Sequence, residues 1–292
     1  MHVAFAPAKI NLMLAITGVR EDGFHNLVSL VAPVDFGDAL QMETPAGLAA
    51  DELLCDFPGV PTDGTNLVMK AAAVFRREHP ATPFVRFWLG KKTPHGAGLG
   101  GGSSDAAAAL NLLNDANGRP FDAGRLASLA AELGSDCPLF LDGAPVVMRG
   151  RGERVEKLSA AEKAALSGRR LLLFKPDFGV STVEAYKAMK ADGGMYCAEI
   201  EAETALKAWR LMPKQAPLPL YNNMERAVFA KHLALPAMLD ELRRKFSLAP
   251  RMSGSGSACF AFLPDGFDAA PVIAAIRAGW GESAFVVETK LL

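Results

Sequence analysis

One run of residues in this chain has the types and spacing to hold a large anion. Pro94-His95-Gly96-Ala97-Gly98-Leu99-Gly100-Gly101-Gly102-Ser103-Ser104-Asp105 leads directly into the alanine-rich stretch 106–110. Glycines recur at 96, 98, 100, 101 and 102, and each surrenders more backbone freedom on ordering than any other residue. Backbone N–H groups without side chains can close around a phosphate, and the positive end of a helix beside them adds to the attraction. That helix is predicted: Ser103 or Ser104 is a good N-cap, Asp105 suits the positive end, and Ala106, Ala109, Leu110 and Leu113 keep helical spacing. The loop is not a Walker A sequence, because no Lys-Ser/Thr pair closes it. It is not a dinucleotide fingerprint either, since no acidic residue ends a clear second strand about twenty residues on. Taken alone, a glycine loop is also compatible with a plain flexible connection.

Single residues on either side could complete a reacting centre. Lys9 and Asn11 share a parity in Pro7-Ala8-Lys9-Ile10-Asn11-Leu12, pointing away from the apolar face set by Ile10, Leu12, Leu14 and Ile16. On position alone, Lys9 reads as a surface lysine. His25 follows the polar turn 18–23, and Asp136 precedes a proline in Ser135-Asp136-Cys137-Pro138, where loops often present functional groups. An ordinary turn aspartate and a solvated histidine are the plain readings of those two.

The elements that must position these residues alternate between strand and helix. Strands are expected at 3–6 and 10–17, broken at Pro7, then at 27–34, 39–44 and 85–89, with 46–64 irregular. Thr65 is expected to cap a helix to about 79, and Asp122 a helix ending at Gly134. A hairpin at 146–158 and a short helical connector at 159–169 divide the chain into 1–158 and 170–292. The second part reads β-α-β-β-α-β, the split ferredoxin-like order, with helices between about 202 and 245 inserted.

The 292 residues carry 31 basic and 32 acidic side chains for a net charge of −1, with no basic block, which argues against general nucleic-acid binding. Half of the residues are hydrophobic, but no apolar run approaches the ~18 residues of a membrane span, and Pro7, Lys9 and Asn11 interrupt any signal-peptide core. A cytoplasmic protein with no membrane association is expected. Cys55, Cys137, Cys197 and Cys259 lack metal-site spacing and read as buried, reduced side chains.

Three stretches together carry a resemblance: Pro7-Ala8-Lys9-Ile10-Asn11-Leu12, the glycine-serine loop, and Ser253-Gly254-Ser255-Gly256-Ser257. They resemble the motifs of the GHMP family of small-molecule kinases. The resemblance implies an α+β fold with a ribosomal-S5-like N-terminal domain and a ferredoxin-like C-terminal domain. It implies phosphoryl transfer from ATP with Mg2+, the donor held by Pro94, Gly96, Ala97, Gly98, Leu99, Gly100, Gly101, Gly102, Ser103 and Ser104, with Asn66 on the adenine side. Asp136 matches the family's catalytic aspartate and Lys9 its partner. Arg20-Glu21-Asp22-Gly23-Phe24-His25, Gly134-Ser135-Asp136-Cys137-Pro138 and Asn222-Asn223-Met224-Glu225 look like the branch whose acceptor is 4-diphosphocytidyl-2-C-methyl-D-erythritol, in the non-mevalonate route to isoprenoid precursors. There Phe24 and His25 would grip the cytosine, Asn11 the polyol or diphosphate, and Gly254 and Gly256 would support the substrate phosphates. Phe24 departs from the usual tyrosine, and His95 from a usually apolar residue. Homoserine, mevalonate or a sugar is the alternative acceptor, and a non-catalytic nucleotide-binding regulator the alternative class. The implied assembly is a monomer or weak homodimer.

Overall fold

Strand β1, His2–Val19, runs unbroken through Pro7, where the sequence predicts an interruption. Strand β2, His25–Glu43, is likewise one strand rather than two. Gly37 of β2 explains part of this: a Cβ there would lie 2.6 Å from Pro7 Cα, so the proline is passed closely by a backbone without a side chain. The middles of both strands are buried on successive residues, so both faces are covered, and Lys9 and Asn11 are interior rather than surface residues. A computed structural model describes all residues, 1–292, and they pack as two compact units.

One unit comprises Met1–Ala8, Phe36–Thr93 and Gly100–Gly143. The C-terminal half of β2 pairs antiparallel with β4, Arg86–Gly90, which pairs in parallel with β3, Glu52–Cys55. Strand β3 falls in the stretch read as irregular, because Glu-Leu-Leu-Cys is too short to show a period. Helix α1, Leu67–Glu78, is capped by Asn66, not Thr65: the Val68 N–H donates to Asn66 Oδ1 at 2.9 Å, while the Thr65 hydroxyl turns back to Asp63. Helix α2, Gly101–Ala116, and α3, Ala123–Leu133, complete the layer, the latter capped by Asp122 as expected. Their core joins Phe75, Phe87, Leu40, Leu110 and Leu129, and the buried alanines 106 and 109 leave α1 room to pack on α2. After α3 comes a 3-10 turn, Pro138–Phe140.

The other unit comprises Lys9–Asp35, Pro94–Leu99 and Ala144–Leu292. Here β5, Val146–Gly150, pairs with both the first half of β2 and β6, Arg154–Lys157, which is the predicted hairpin. The connector is helix α4, Ala160–Leu166, closed by a capping box between Ser159 and Glu162. Strand β7, Arg170–Lys175, leads to α5, Thr182–Ala191, and the inserted elements are α6, Glu199–Leu211, β8, Tyr221–Asn222, α7, Met224–Phe229, and α8, Ala234–Phe246. Strands β9, Arg251–Met252, and β10, Cys259–Phe262, then α9, Ala270–Trp280, and β11, Phe285–Lys290, close the chain. The antiparallel sheet runs β11-β7-β10-β9, the order that the ferredoxin-like pattern requires. Leu14 and Ile16 of β1 belong to the core of this unit, with Phe174, Met224, Leu239 and Ile276.

All four cysteines are free, but only Cys137 and Cys259 are buried; Cys55, the last residue of β3, and Cys197, just before α6, are half-buried. No helix is long and apolar enough to cross a membrane.

Candidate active site

The first half of the glycine loop, Pro94–Leu99, is stitched into the unit that holds Lys9. The Lys9 N–H donates to Leu99 O at 2.9 Å and the Ala258 N–H to Ala97 O at 3.1 Å, so the loop is held from both sides by backbone. Gly98, at φ 75°, sits in the left-handed region, and a Cβ on it would lie 2.5 Å from Ser253 O and 3.1 Å from Gly256 N. Gly254, at φ 60°, is as constrained: its Cβ would meet Gly98 O at 3.1 Å and Asn11 Oδ1 and Lys9 Nζ at 3.3 Å. The structure therefore brings together six residues singled out in the sequence: Lys9, Asn11, Gly98, Leu99, Gly254 and Gly256. Gly256, at φ 80°, also packs on Met252, whose Sδ would lie 2.6 Å from an added Cβ.

Lys9 is 5% exposed and its ammonium donates to Asn11 Oδ1 at 2.6 Å. Asn11 Nδ2 donates to Ser29 Oγ at 2.9 Å, and the Ser29 hydroxyl donates to Met13 O at 2.6 Å. Both ends of the Asn11 amide are thus engaged within the protein. Ser253 Oγ accepts the Asn11 N–H at 3.2 Å, tying the third small-residue loop to β1. Asn222 holds that loop from below, donating to Met252 O at 2.8 Å and Gly254 O at 2.9 Å.

In the other unit, Gly100, at φ 70°, is the N-cap of α2, so the helix begins earlier than Ser103 or Ser104. The left-handed turn at Gly100 ends the loop before the serines, and Gly101, Gly102, Ser103 and Ser104 form the first helical turn. No side chain caps this end, which leaves its N–H groups for a ligand. The Ser104 hydroxyl is buried and makes no hydrogen bond. Ser103 hydrogen-bonds Cys137, whose thiol burial pushes up to about 11. Asp136 is half-buried in the turn between α3 and the 3-10 turn, a turn closed by the Cys137 N–H donating to Gly134 O at 3.1 Å. Asn66 is occupied by capping α1, and its Nδ2 donates to Pro61 O at 2.7 Å.

Phe24 and His25 adjoin in the chain but take different partners. Phe24 is 54% exposed with the Arg151 guanidinium 5.1 Å over its ring centroid. His25 lies 4.7 Å from the Tyr186 ring centroid, and its Nε2 is 3.2 Å from the Tyr196 hydroxyl. Burial, and then the positive charge of Lys190, hold the His25 imidazole below its ordinary pKa, so it is neutral at pH 7. Ser29, Tyr186, Tyr196, Arg151, Asp38 and Lys91 were not singled out from the sequence. Ser29 was detectable as a lone hydroxyl inside the apolar run of β2, but its partners were not.

Two family models match the chain: GHMP kinases N terminal domain over residues 66–149 and GHMP kinases C terminal over residues 202–282. Together they span more than half of it. The chain belongs to the GHMP kinase family. This GHMP kinase is 41% identical over 264 residues to a 4-diphosphocytidyl-2-C-methyl-D-erythritol kinase of Methylacidiphilum infernorum, covering 89% of this chain and 85% of the relative. It is 40% identical to a protein of the same name from Synechococcus, with 91% and 88% of the two chains covered. A crystal structure of 4-(cytidine 5'-diphospho)-2C-methyl-D-erythritol kinase superposes with a TM-score of 0.79 at 32% identity, over 99% of both chains. The mevalonate kinase of Methanococcus jannaschii, at 10% identity and a TM-score of 0.72, shares the fold of this GHMP kinase.

Proposed function

We propose that this GHMP kinase transfers the γ-phosphoryl group of ATP to a hydroxyl of 4-diphosphocytidyl-2-C-methyl-D-erythritol. The observation that carries the acceptor is the aromatic group of His25, Tyr186 and Tyr196, with the exposed Phe24 ring next to His25 in the chain: an exposed ring, a neutral imidazole and two phenols suit a flat, hydrogen-bonding base such as cytosine. The likeness along nearly the whole chain to kinases of that name supports the same acceptor.

Phosphoryl transfer asks for positioning and charge neutralisation more than for covalent help. The open N-terminus of α2 and the preceding glycines offer N–H groups and the helix dipole to the donor phosphates. The unpartnered Ser104 hydroxyl fits an oxygen of magnesium-bound ATP, and Mg2+ would supply neutralisation of the phosphate charge. Asp136 takes the role of orienting the acceptor hydroxyl and receiving its proton. Lys9 supplies a fixed positive charge to the reacting oxygens, with Asn11 holding its ammonium rather than contacting substrate alone. Gly254 lets the third loop lie against Lys9 and Asn11, and that loop, with Gly254 and Gly256, takes the role of supporting the substrate phosphates.

An ADP-release assay with purified protein, MgATP and a panel of acceptors tests this. Turnover with the cytidine-diphosphate derivative and not with homoserine, mevalonate or sugars supports it; turnover only with an acceptor lacking cytidine overturns it.

A further inference from the structure

A cluster of buried charges lies under the first turn of α2, and nothing in the phosphoryl-transfer scheme uses it. Asp38, on β2, is 0% exposed, and the Lys91 side chain is 6% and that of Asp105 3% exposed. Asp38 Oδ1 accepts the N–H groups of Lys92 at 2.6 Å and Thr93 at 2.7 Å, the last residues before the glycine loop. Its other oxygen accepts the Lys91 ammonium, and that ammonium also donates to Asp105 Oδ2 at 2.7 Å. Asp105 is the residue after Ser104, on the first turns of the helix that offers its N-terminus to the donor. Two further buried oxygens in this neighbourhood, Thr93 Oγ1 and Asp105 Oδ1, make no hydrogen bond.

Gly101 links this cluster to the loop. Its φ is not in the left-handed region, so the backbone conformation does not demand glycine. An added Cβ would meet Thr93 Cγ2 at 2.8 Å and Lys91 Nζ at 2.9 Å. The space that glycine leaves is filled by the Thr93 side chain and the Lys91 ammonium together.

We infer that Lys91, braced by Asp38 and Asp105, is a positioning residue for the donor-binding turn, and that Gly101 is glycine to admit its ammonium and the Thr93 side chain rather than to admit nucleotide. Asp38 fixes the strand end that enters the loop, and Asp105 carries the same constraint to α2. This rests on the loop being the ATP site.

Equilibrium binding of MgATP to the full chain, with the KM values for MgATP and acceptor and the melting temperature, tests it. Lys91→Met and Gly101→Ala are each expected to weaken MgATP binding about tenfold and to leave the acceptor KM within about twofold. Asp105→Asn keeps an oxygen for the ammonium and is expected to stay within about threefold of wild type, whereas Asp105→Ala follows Lys91→Met. Wild-type MgATP affinity in Lys91→Met and Gly101→Ala, whatever their melting temperatures, overturns the inference. Should Lys91→Met not fold, the contrast between Asp105→Ala and Asp105→Asn decides: equal affinities overturn it. A wild type that binds MgATP but phosphorylates no acceptor overturns the kinase reading and leaves this inference to the binding data.

Discussion

Lys9 and Asn11 lie two residues apart on one strand, and the ammonium of the first donates to the side-chain carbonyl of the second at 2.6 Å. Ser29 sets the sense of that contact. Its hydroxyl proton is used on Met13 O, so it can only accept from Asn11 Nδ2, and the Asn11 oxygen is left facing Lys9. Ser29→Ala removes the acceptor that enforces this orientation. Turnover is expected to fall about tenfold with little change in KM for MgATP, and Asn11→Ala to fall further, at a stability cost of about 1–3 kcal/mol from buried groups left unpaired. Steady-state kinetics and chemical denaturation read both.

Asp136→Asn keeps the shape of the turn and removes the proton acceptor. It is expected to lower kcat by roughly 10²–10⁴ while MgATP affinity changes little, measured by turnover and by equilibrium binding. Full activity in this variant would remove Asp136 from the chemistry.

The loop glycines are not equivalent. At Gly96, φ 61° with open space around an added Cβ, Gly96→Ala should cost only the left-handed penalty of roughly 1–2 kcal/mol. At Gly98 the same change also drives a methyl group onto Ser253 O, so Gly98→Ala should melt lower and bind MgATP more weakly than Gly96→Ala. Differential scanning calorimetry and titration calorimetry give the comparison directly.

For base recognition, Phe24→Ala is expected to raise the acceptor KM about tenfold and leave the MgATP KM unchanged, since stacking on a base contributes about 1–3 kcal/mol. Phe24→Tyr keeps the ring under Arg151 and should stay close to wild type. A larger MgATP effect than acceptor effect in Phe24→Ala would displace the cytosine from this position.

Asp105 gives stability a pH dependence of known sign. Burial raises its carboxyl from 3.8 to about 7, Lys91 partly offsetting and Asp38 reinforcing the shift. The folded chain therefore holds a proton that the unfolded chain has released. Its contribution is fully favourable below about pH 4 and is lost as pH rises toward about 7. Asp105→Asn should flatten that segment of the stability–pH curve, which urea denaturation across the range will show.

The motifs that lie contiguous in the chain were legible. The glycine loop and the ferredoxin-like strand order follow from residue types and spacing, because each is a local pattern, whereas Lys9 reads as a surface lysine by position and is marked only by the family resemblance. Ser29, Asp38 and Lys91 were not, since their roles depend on pairing across strands and on which faces are covered. A serine flanked by Val28 and Leu30 reads as a mild break in an apolar strand until Asn11 is placed beside it. The misplaced helix start has a local cause. Serines are the better caps by propensity, but Gly100 adopts the left-handed conformation first and ends the loop three residues before Ser103 and four before Ser104. Strand continuity through Pro7 depended on Gly37, thirty positions away, and no single window shows both.

The first two strands each give one half to either compact unit, and Leu14 and Ile16 complete a core built otherwise from residues beyond Leu172 and from Leu27. A cut at the connector, residues 159–169, would leave the C-terminal piece with a gap where those two side chains belong. Neither piece is then a portable module. Heredity must keep such a chain whole: it can be fused at its ends or altered within its loops, but a gene split at the connector would yield two fragments that each await the other.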